Sequence, residues 1–185
     1  KPLKGQLAAL ELGTKTGDAV NLARDLVNEP PRVVTPRYLA NAAEESAKGA
    51  GLNVEILDKK GLEKLDMRLF LGVSQGSEEP PRLIHVWWEP KKKATGPGLA
   101  FVGKAVTFDS GGLSLKPPEG METMKCDMAG GAACIAAMQV VAALQPPFPV
   151  HAYVGATENL PSGTAQKPGD IVKGRNGKSV EILNT

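Results

Sequence analysis

LAFVGKAVTFDSGGLSLK, residues 99–116, decides the fold of this 185-residue chain. It opens as a continuous apolar run, 99–102, of the kind that fills a buried strand, and leaves that run through glycines and charges. Downstream, residues 128–144 are alanine-rich and apolar almost all round, which predicts a helix buried on most sides. Pro146 and Pro147 end that helix, and residues 150–154 are again strand-like. A strand, a glycine-rich exit, a buried helix and a second strand point to an α/β layer architecture with a parallel or mixed sheet.

The segments further out agree with this. Residues 17–28 place Val20, Ala23, Leu26 and Val27 on one helical face, and Glu29-Pro30-Pro31 stops that helix. Thr35 and Pro36 supply an N-cap and a first-turn proline for a second helix, running through Leu39 and Ala43 toward Gly49 or Gly51. Residues 53–57 alternate as a strand, 60–65 read as a short helix, 69–73 as a short apolar strand and 82–88 as another strand. The polar stretch 89–98 carries Lys91-Lys92-Lys93 and reads as a solvated surface loop within one domain, because neither flank has a core of its own.

Composition excludes several classes. Hydrophobic residues make up 42%, charged residues 23%, and the net charge is +2, as in an ordinary globular protein with no nucleic-acid-binding basic block. No continuous apolar run approaches the ~18 residues of a membrane span, and residues 1–12 lack the apolar core of a signal peptide. The two cysteines, Cys126 and Cys134, have neither the number for a disulfide framework nor CxxC spacing. Reduced thiols, with Cys134 buried as a small apolar residue, and an intracellular setting are the expectation. The chain starts at Lys1 without a methionine and stops just after the strand-like residues 180–183, as a piece of something longer would.

In open α/β sheets ligands bind beyond the carboxyl ends of strands, where Lys104 and Asp109 fall just past the run 99–102. Gly103, Gly111 and Gly112 permit tight turns and close approach to a ligand. Asp127 heads the buried helix, where a carboxylate also serves as an N-cap, and Lys104 and Lys116 taken singly read as solvated surface charge. Gly103-Lys104 is not a P-loop, and Asp109-Ser110-Gly111 is not a nucleophile elbow, since Phe108 stands where a glycine is needed. The two histidines, His85 and His151, lie inside apolar strand-like runs and read as core or edge residues. What remains is carboxylates plus lysines, a set that suits hard or borderline divalent cations. A lysine there either stays protonated and stabilises an oxyanion or loses its proton and ligates metal. The second role costs roughly 4–5 kcal/mol at pH 7 unless a strong local positive charge offsets it. The residues alone do not choose between these.

Three stretches carry a family resemblance: Asn21-Leu-Ala-Arg-Asp-Leu-Val-Asn-Glu-Pro-Pro, residues 102–116, and Glu158-Asn-Leu-Pro-Ser-Gly-Thr-Ala-Gln-Lys-Pro-Gly-Asp, with residues 121–133 in register between them. The sequence resembles the leucyl or cytosol aminopeptidases, two-metal exopeptidases of the peptidase M17 family. The resemblance implies a three-layer α/β/α fold with a mixed central sheet, the zinc-exopeptidase-like catalytic domain, of which residues 1–185 would be the N-terminal part. It implies Lys104, Asp109 and Asp127 as metal ligands, Asp109 bridging two cations, and Lys116 as the catalytic lysine that polarises the scissile carbonyl. Met124 falls on a residue lining the pocket for the substrate's first side chain; Lys104, Asp109, Lys116 and Asp127 also face substrate. Ala105 and Ala129 stand where glycine is common, and Lys125 and Cys126 occupy variable positions.

The implied activity is hydrolysis of N-terminal residues, leucine-like preferred, from peptides. The implied cofactors are two divalent ions (zinc or manganese, or magnesium), with bicarbonate as general base. A cytoplasmic homohexamer is the implied assembly, with no membrane or nucleic acid as partner. In the family, Asn-Thr is followed at once by Asp-Ala-Glu-Gly-Arg, which supplies two further ligands and the bicarbonate-holding arginine. The chain reaches Asn184-Thr185 and no further, so it is expected to be inactive alone, with a sheet edge exposed. The rival expectations are a non-catalytic assembly module and a DNA-binding accessory factor, whose basic surface the sequence lacks.

Overall fold

The computed structural model describes residues 4–185. Helix α1 (Lys4–Asn28) is followed by α2 (Pro36–Ala50), β1 (Asn53–Leu57), α3 (Lys59–Lys64), α4 (Arg68–Ser74), β2 (Arg82–Trp88) and β3 (Leu99–Asp109). A one-turn helix α5 (Pro118–Met121) and a 3-10 turn, Met124–Cys126, lead into α6 (Ala129–Leu144), then β4 (Val150–Asn159), β5 (Ile171–Lys173) and β6 (Ser179–Glu181). Four strands form a mixed sheet in the order β1-β2-β4-β3, with β3 parallel to β4 and the other pairings antiparallel. This is the expected α/β architecture with a mixed sheet.

Period-2 alternation sorts the strands into two faces. Ile84 and Val86 on β2, Val150, Ala152, Val154 and Ala156 on β4, and Ala105 on β3 are buried with Leu39, Ala43 and Ala47 of α2 and Ile135 and Met138 of α6. Helix α1 packs outside α6 through Leu26. On the opposite face, α3 and α4 cover the end of the sheet where β1 and β4 finish: Gly61 of α3 sits on Leu57, and Phe70 of α4 lies against Gly155. The Thr35 hydroxyl caps α2 as expected, accepting from the Tyr38 amide, and Gly51 closes the helix in the left-handed region at φ 70°.

Helix α6 rides close on β3 because both are small where they meet. A β-carbon on Gly131 would come within 2.6 Å of Ala105 Cβ and 2.7 Å of Val154 Cγ1, and one on Gly103 within 2.9 Å of Cys134 Sγ. Gly131→Ala should therefore cost about 2 kcal/mol net, overpacking outweighing the gain in helix propensity, and lower the thermal midpoint by about 4–8 °C. Gly13→Ala on α1, where nothing lies within 4 Å, should raise it instead. Calorimetry of the two variants reads the difference in sign.

Several expectations give way here. Residues 69–73 are helical, inside α4; so short an apolar run fits either period. Helix α1 begins at Lys4, well before residue 17, since its glycines face open space and cost only propensity. An 18-residue window within Pro118–Leu144 is apolar enough by composition to pass for a membrane span. The structure breaks that segment into α5, the 3-10 turn and α6, and buries Gly131, Ala132, Ile135, Ala136 and Met138 in the core, so α6 is a core helix. Cys134 is half-buried rather than buried, and its burial pushes the thiol pKa up. The loop 91–98 is exposed throughout, as expected.

A candidate cation-binding cleft beside strand β3

Strand β3 continues through Lys104 to Asp109, so neither residue lies beyond a strand end at 102 as the sequence led one to expect. In a regular strand, residues five apart point to opposite faces. The β3–β4 register shifts between Val106 and Phe108: Val106 lies opposite Thr157, but Phe108 lies opposite Glu158. One extra β3 residue is absorbed there, a β-bulge. Lys104 consequently faces out opposite Gly155 and Asp109 opposite Asn159, both on the face away from α6. Buried Thr107 sits in the bulge, its hydroxyl donating to the Thr157 carbonyl at 3.3 Å.

Beyond Asp109 the chain turns through Gly111 and Gly112, at φ 88° and 64°, which β-carbon-bearing residues rarely adopt. The Lys116 amide donates to the Ser110 carbonyl at 2.9 Å and closes this loop. The β5–β6 ribbon brings Thr185 onto it: the Thr185 hydroxyl donates to the Gly111 carbonyl at 2.9 Å and accepts from the Ser114 amide at 2.8 Å. Lys116 Nζ is thereby set 3.2 Å from Asp109 Oδ2.

Asp127 approaches from outside the strand. Its carbonyl accepts from the Val106 amide at 3.1 Å, so the segment after the 3-10 turn covers the free edge of β3 at that point. Its carboxylate does not cap α6; Met128 takes the N-cap position with no side-chain bond. The reason is a better partner: Asp127 Oδ2 lies 2.8 Å from Lys104 Nζ. The contact has the distance of a hydrogen bond but not its direction, and Oδ2 is otherwise buried without a donor. Neither lysine is thus a free surface charge. Met124 opens the 3-10 turn and is half-buried; Lys125 ties the turn to the C-terminal end of α1 by donating to the Asn28 carbonyl.

Asp109 is buried, 9% exposed, and its Oδ1 accepts from the Gly111 amide at 2.9 Å and from Asn159 Nδ2 at 2.8 Å. Burial pushes the carboxyl pKa up, but the Gly111 amide, the Asn159 amide and the Lys116 ammonium outweigh it and leave it below the ordinary value. Among the described residues no three His, Cys, Asp or Glu side chains converge. Asp109 Oδ2, the donor-less Asp127 Oδ2 and the Lys104 amine nonetheless fit a hard or borderline divalent cation. Sequence reasoning assigned no task to Asn159, Ser110 or Thr185; the sheet register alone brings Asn159 opposite Asp109.

His85 and His151 belong elsewhere. They lie toward the start of β4 on the same open face, His85 Nε2 and His151 Nδ1 3.0 Å apart, stacked in a row with Trp87 and Tyr153. Burial lowers the His85 pKa, and the His151 imidazole adds to this.

Residues 21–185 match the description "Cytosol aminopeptidase family, catalytic domain". A probable cytosol aminopeptidase of Solibacter usitatus (strain Ellin6076) is 50% identical over 178 residues, 96% of this chain and 37% of that protein. The counterpart in Alkaliphilus metalliredigens (strain QYMF) is 50% identical over 185 residues, 98% of this chain and 37% of its own. Among solved structures, the bottromycin maturation enzyme BotP in complex with Mn superposes at a TM-score of 0.89 with 39% identity, over 95% of this chain and 38% of that one. The chain thus spans 37% of the length of these two curated relatives.

Proposed function

Because this chain belongs to the cytosol aminopeptidase family, we propose that it forms the N-terminal part of a catalytic domain that removes N-terminal, leucine-like residues from peptides. The observation that carries this reading is the bulge-set alignment of Lys104 and Asp109 on one sheet face, with Asp127 at the strand edge and Lys116 across from Asp109. Lys104, Asp109 and Asp127 would hold divalent cations (zinc, manganese or magnesium), a use that the manganese complex of BotP supports. Such cations supply an activated water and polarise the scissile carbonyl.

The chain's own residues do the rest. Lys104 would hold a cation through its amine, the role that requires its neutral form. Asp109 presents Oδ2, since Oδ1 is already held by two donors. Lys116, 3.2 Å from Asp109 Oδ2, would offer its side-chain nitrogen to the carbonyl oxygen as charge develops there. Met124 lines the pocket for the first side chain. A bicarbonate base, a homohexameric assembly and a cytoplasmic setting complete the reading, the last supported by the relatives' name.

The test is hydrolysis of leucine p-nitroanilide by the intact protein that carries these residues, its mass established first. Turnover should appear with Mn²⁺, vanish in EDTA and return on adding Mn²⁺. Full metal loading without turnover would overturn the reading.

A further inference from the structure

We propose that Asn159 is a positioning residue for Asp109: its side-chain amide holds Oδ1 and so selects Oδ2 as the oxygen presented to a cation. The inference rests on Asp109 being a metal ligand. An ionised carboxylate oxygen has two in-plane lone pairs. On Oδ1 one takes the Gly111 amide at 2.9 Å and the other Asn159 Nδ2 at 2.8 Å, so that oxygen is saturated. Among the described residues the polar partner of Oδ2 is Lys116 Nζ, at 3.2 Å.

The Asn159 amide has one sensible orientation. A carboxylate only accepts, so the end toward Asp109 must be the NH₂ group. The other end, Asn159 Oδ1, lies 2.8 Å from where a β-carbon on Gly112 would stand, so the glycine loop closes over it. Parallel pairing sets Asn159 directly opposite Asp109, within reach of a short amide. Serine there would be too short, and aspartate would set two carboxylates against each other.

Backbone and side chain have separable tasks. The Asn159 carbonyl accepts from the Ser110 amide at 3.0 Å and the Ser110 hydroxyl at 2.7 Å, and it keeps both bonds whatever side chain follows. Removing the side-chain amide should therefore spare the fold and release the carboxylate to rotate onto Lys116.

The experiment is Mn²⁺ titration of the intact protein that carries these residues, free Mn²⁺ read by EPR, for the parent, Asn159→Ala, Asn159→Ser and Asp109→Asn, with the metal-free thermal midpoint of each. Loss of the positioning bond should weaken binding by about 10–100-fold, the range for outer-shell partners of metal ligands, with the metal-free midpoint nearly unchanged. Folded Asn159 variants that bind Mn²⁺ as the parent does would overturn the role of Asn159 while leaving the cleft intact. A parent that takes up no more Mn²⁺ than Asp109→Asn would overturn the metal reading and this inference with it. If both Asn159 variants fail to fold, the parent decides: its Asn159 side-chain NH₂ resonances should shift when Mg²⁺ fills the cleft, and resonances that stay in place sink the proposal.

Discussion

Deleting Thr107 is expected to leave Mn²⁺ binding within about tenfold of the parent, because the deletion removes the bulge without turning Asp109 over. Val106 already lies opposite Thr157, Phe108 opposite Glu158 and Asp109 opposite Asn159, so the shortened strand runs in unbroken register along β4. Lys104 and Asp109 are then four apart and share the open face by period 2 alone. The Asp109 carboxylate keeps Gly111, Asn159 and Lys116. What goes is the Thr107 hydroxyl's bond to the Thr157 carbonyl, worth about 1 kcal/mol. Thr107→Ala is the control, since it keeps the bulge and forfeits the same bond. Far-UV circular dichroism confirms the fold while EPR reads the metal. A folded deletion variant that binds Mn²⁺ about a hundredfold more weakly would show that the bulge does more than absorb the extra residue.

That prediction marks where the sequence stops being legible. The alternation of strands and helices, the Thr35 cap and the burial of residues 128–144 follow from period and composition, and the structure repeats them. The four charged site residues were visible as residue types and by resemblance, but not their pairing. Reading residues 99–109 at period 2 puts Lys104 and Asp109 on opposite faces, and nothing in Val106-Thr107-Phe108 announces a bulge. The N-cap reading of Asp127 taken alone fails for a related reason. A carboxylate at a helix start has a good local use as a cap, and only the edge position of β3 brings Lys104 within 2.8 Å to override it. Asn159 had no signal at all, because its partner is 50 residues away and set by strand register. Residues 69–73 failed differently: five apolar residues fit either period, and packing of Phe70 on Gly155 settled the matter.

Lys116→Ala, made in the intact protein that carries these residues, should lower kcat by about 10²–10³-fold with KM nearly unchanged, the range for removing one preorganised group from an oxyanion. The same variant should bind Mn²⁺ at least as tightly as the parent. Both expectations come from one contact. Lys116 Nζ stands 3.2 Å from Asp109 Oδ2, the oxygen left free by Gly111 and Asn159, so in the metal-free protein the ammonium competes with a cation for it. Removing the ammonium frees that oxygen for metal and takes away the charge that would meet the substrate's carbonyl oxygen. The loop keeps its shape, since its anchors are the Lys116 backbone amide on Ser110 and the Thr185 clamp rather than the lysine side chain. A purely structural Lys116 predicts the reverse pattern, with metal affinity and kcat falling together as the loop loosens. Parallel EPR titration and steady-state kinetics on one preparation separate the two, and weakened Mn²⁺ binding in Lys116→Ala would remove the lysine from the chemistry.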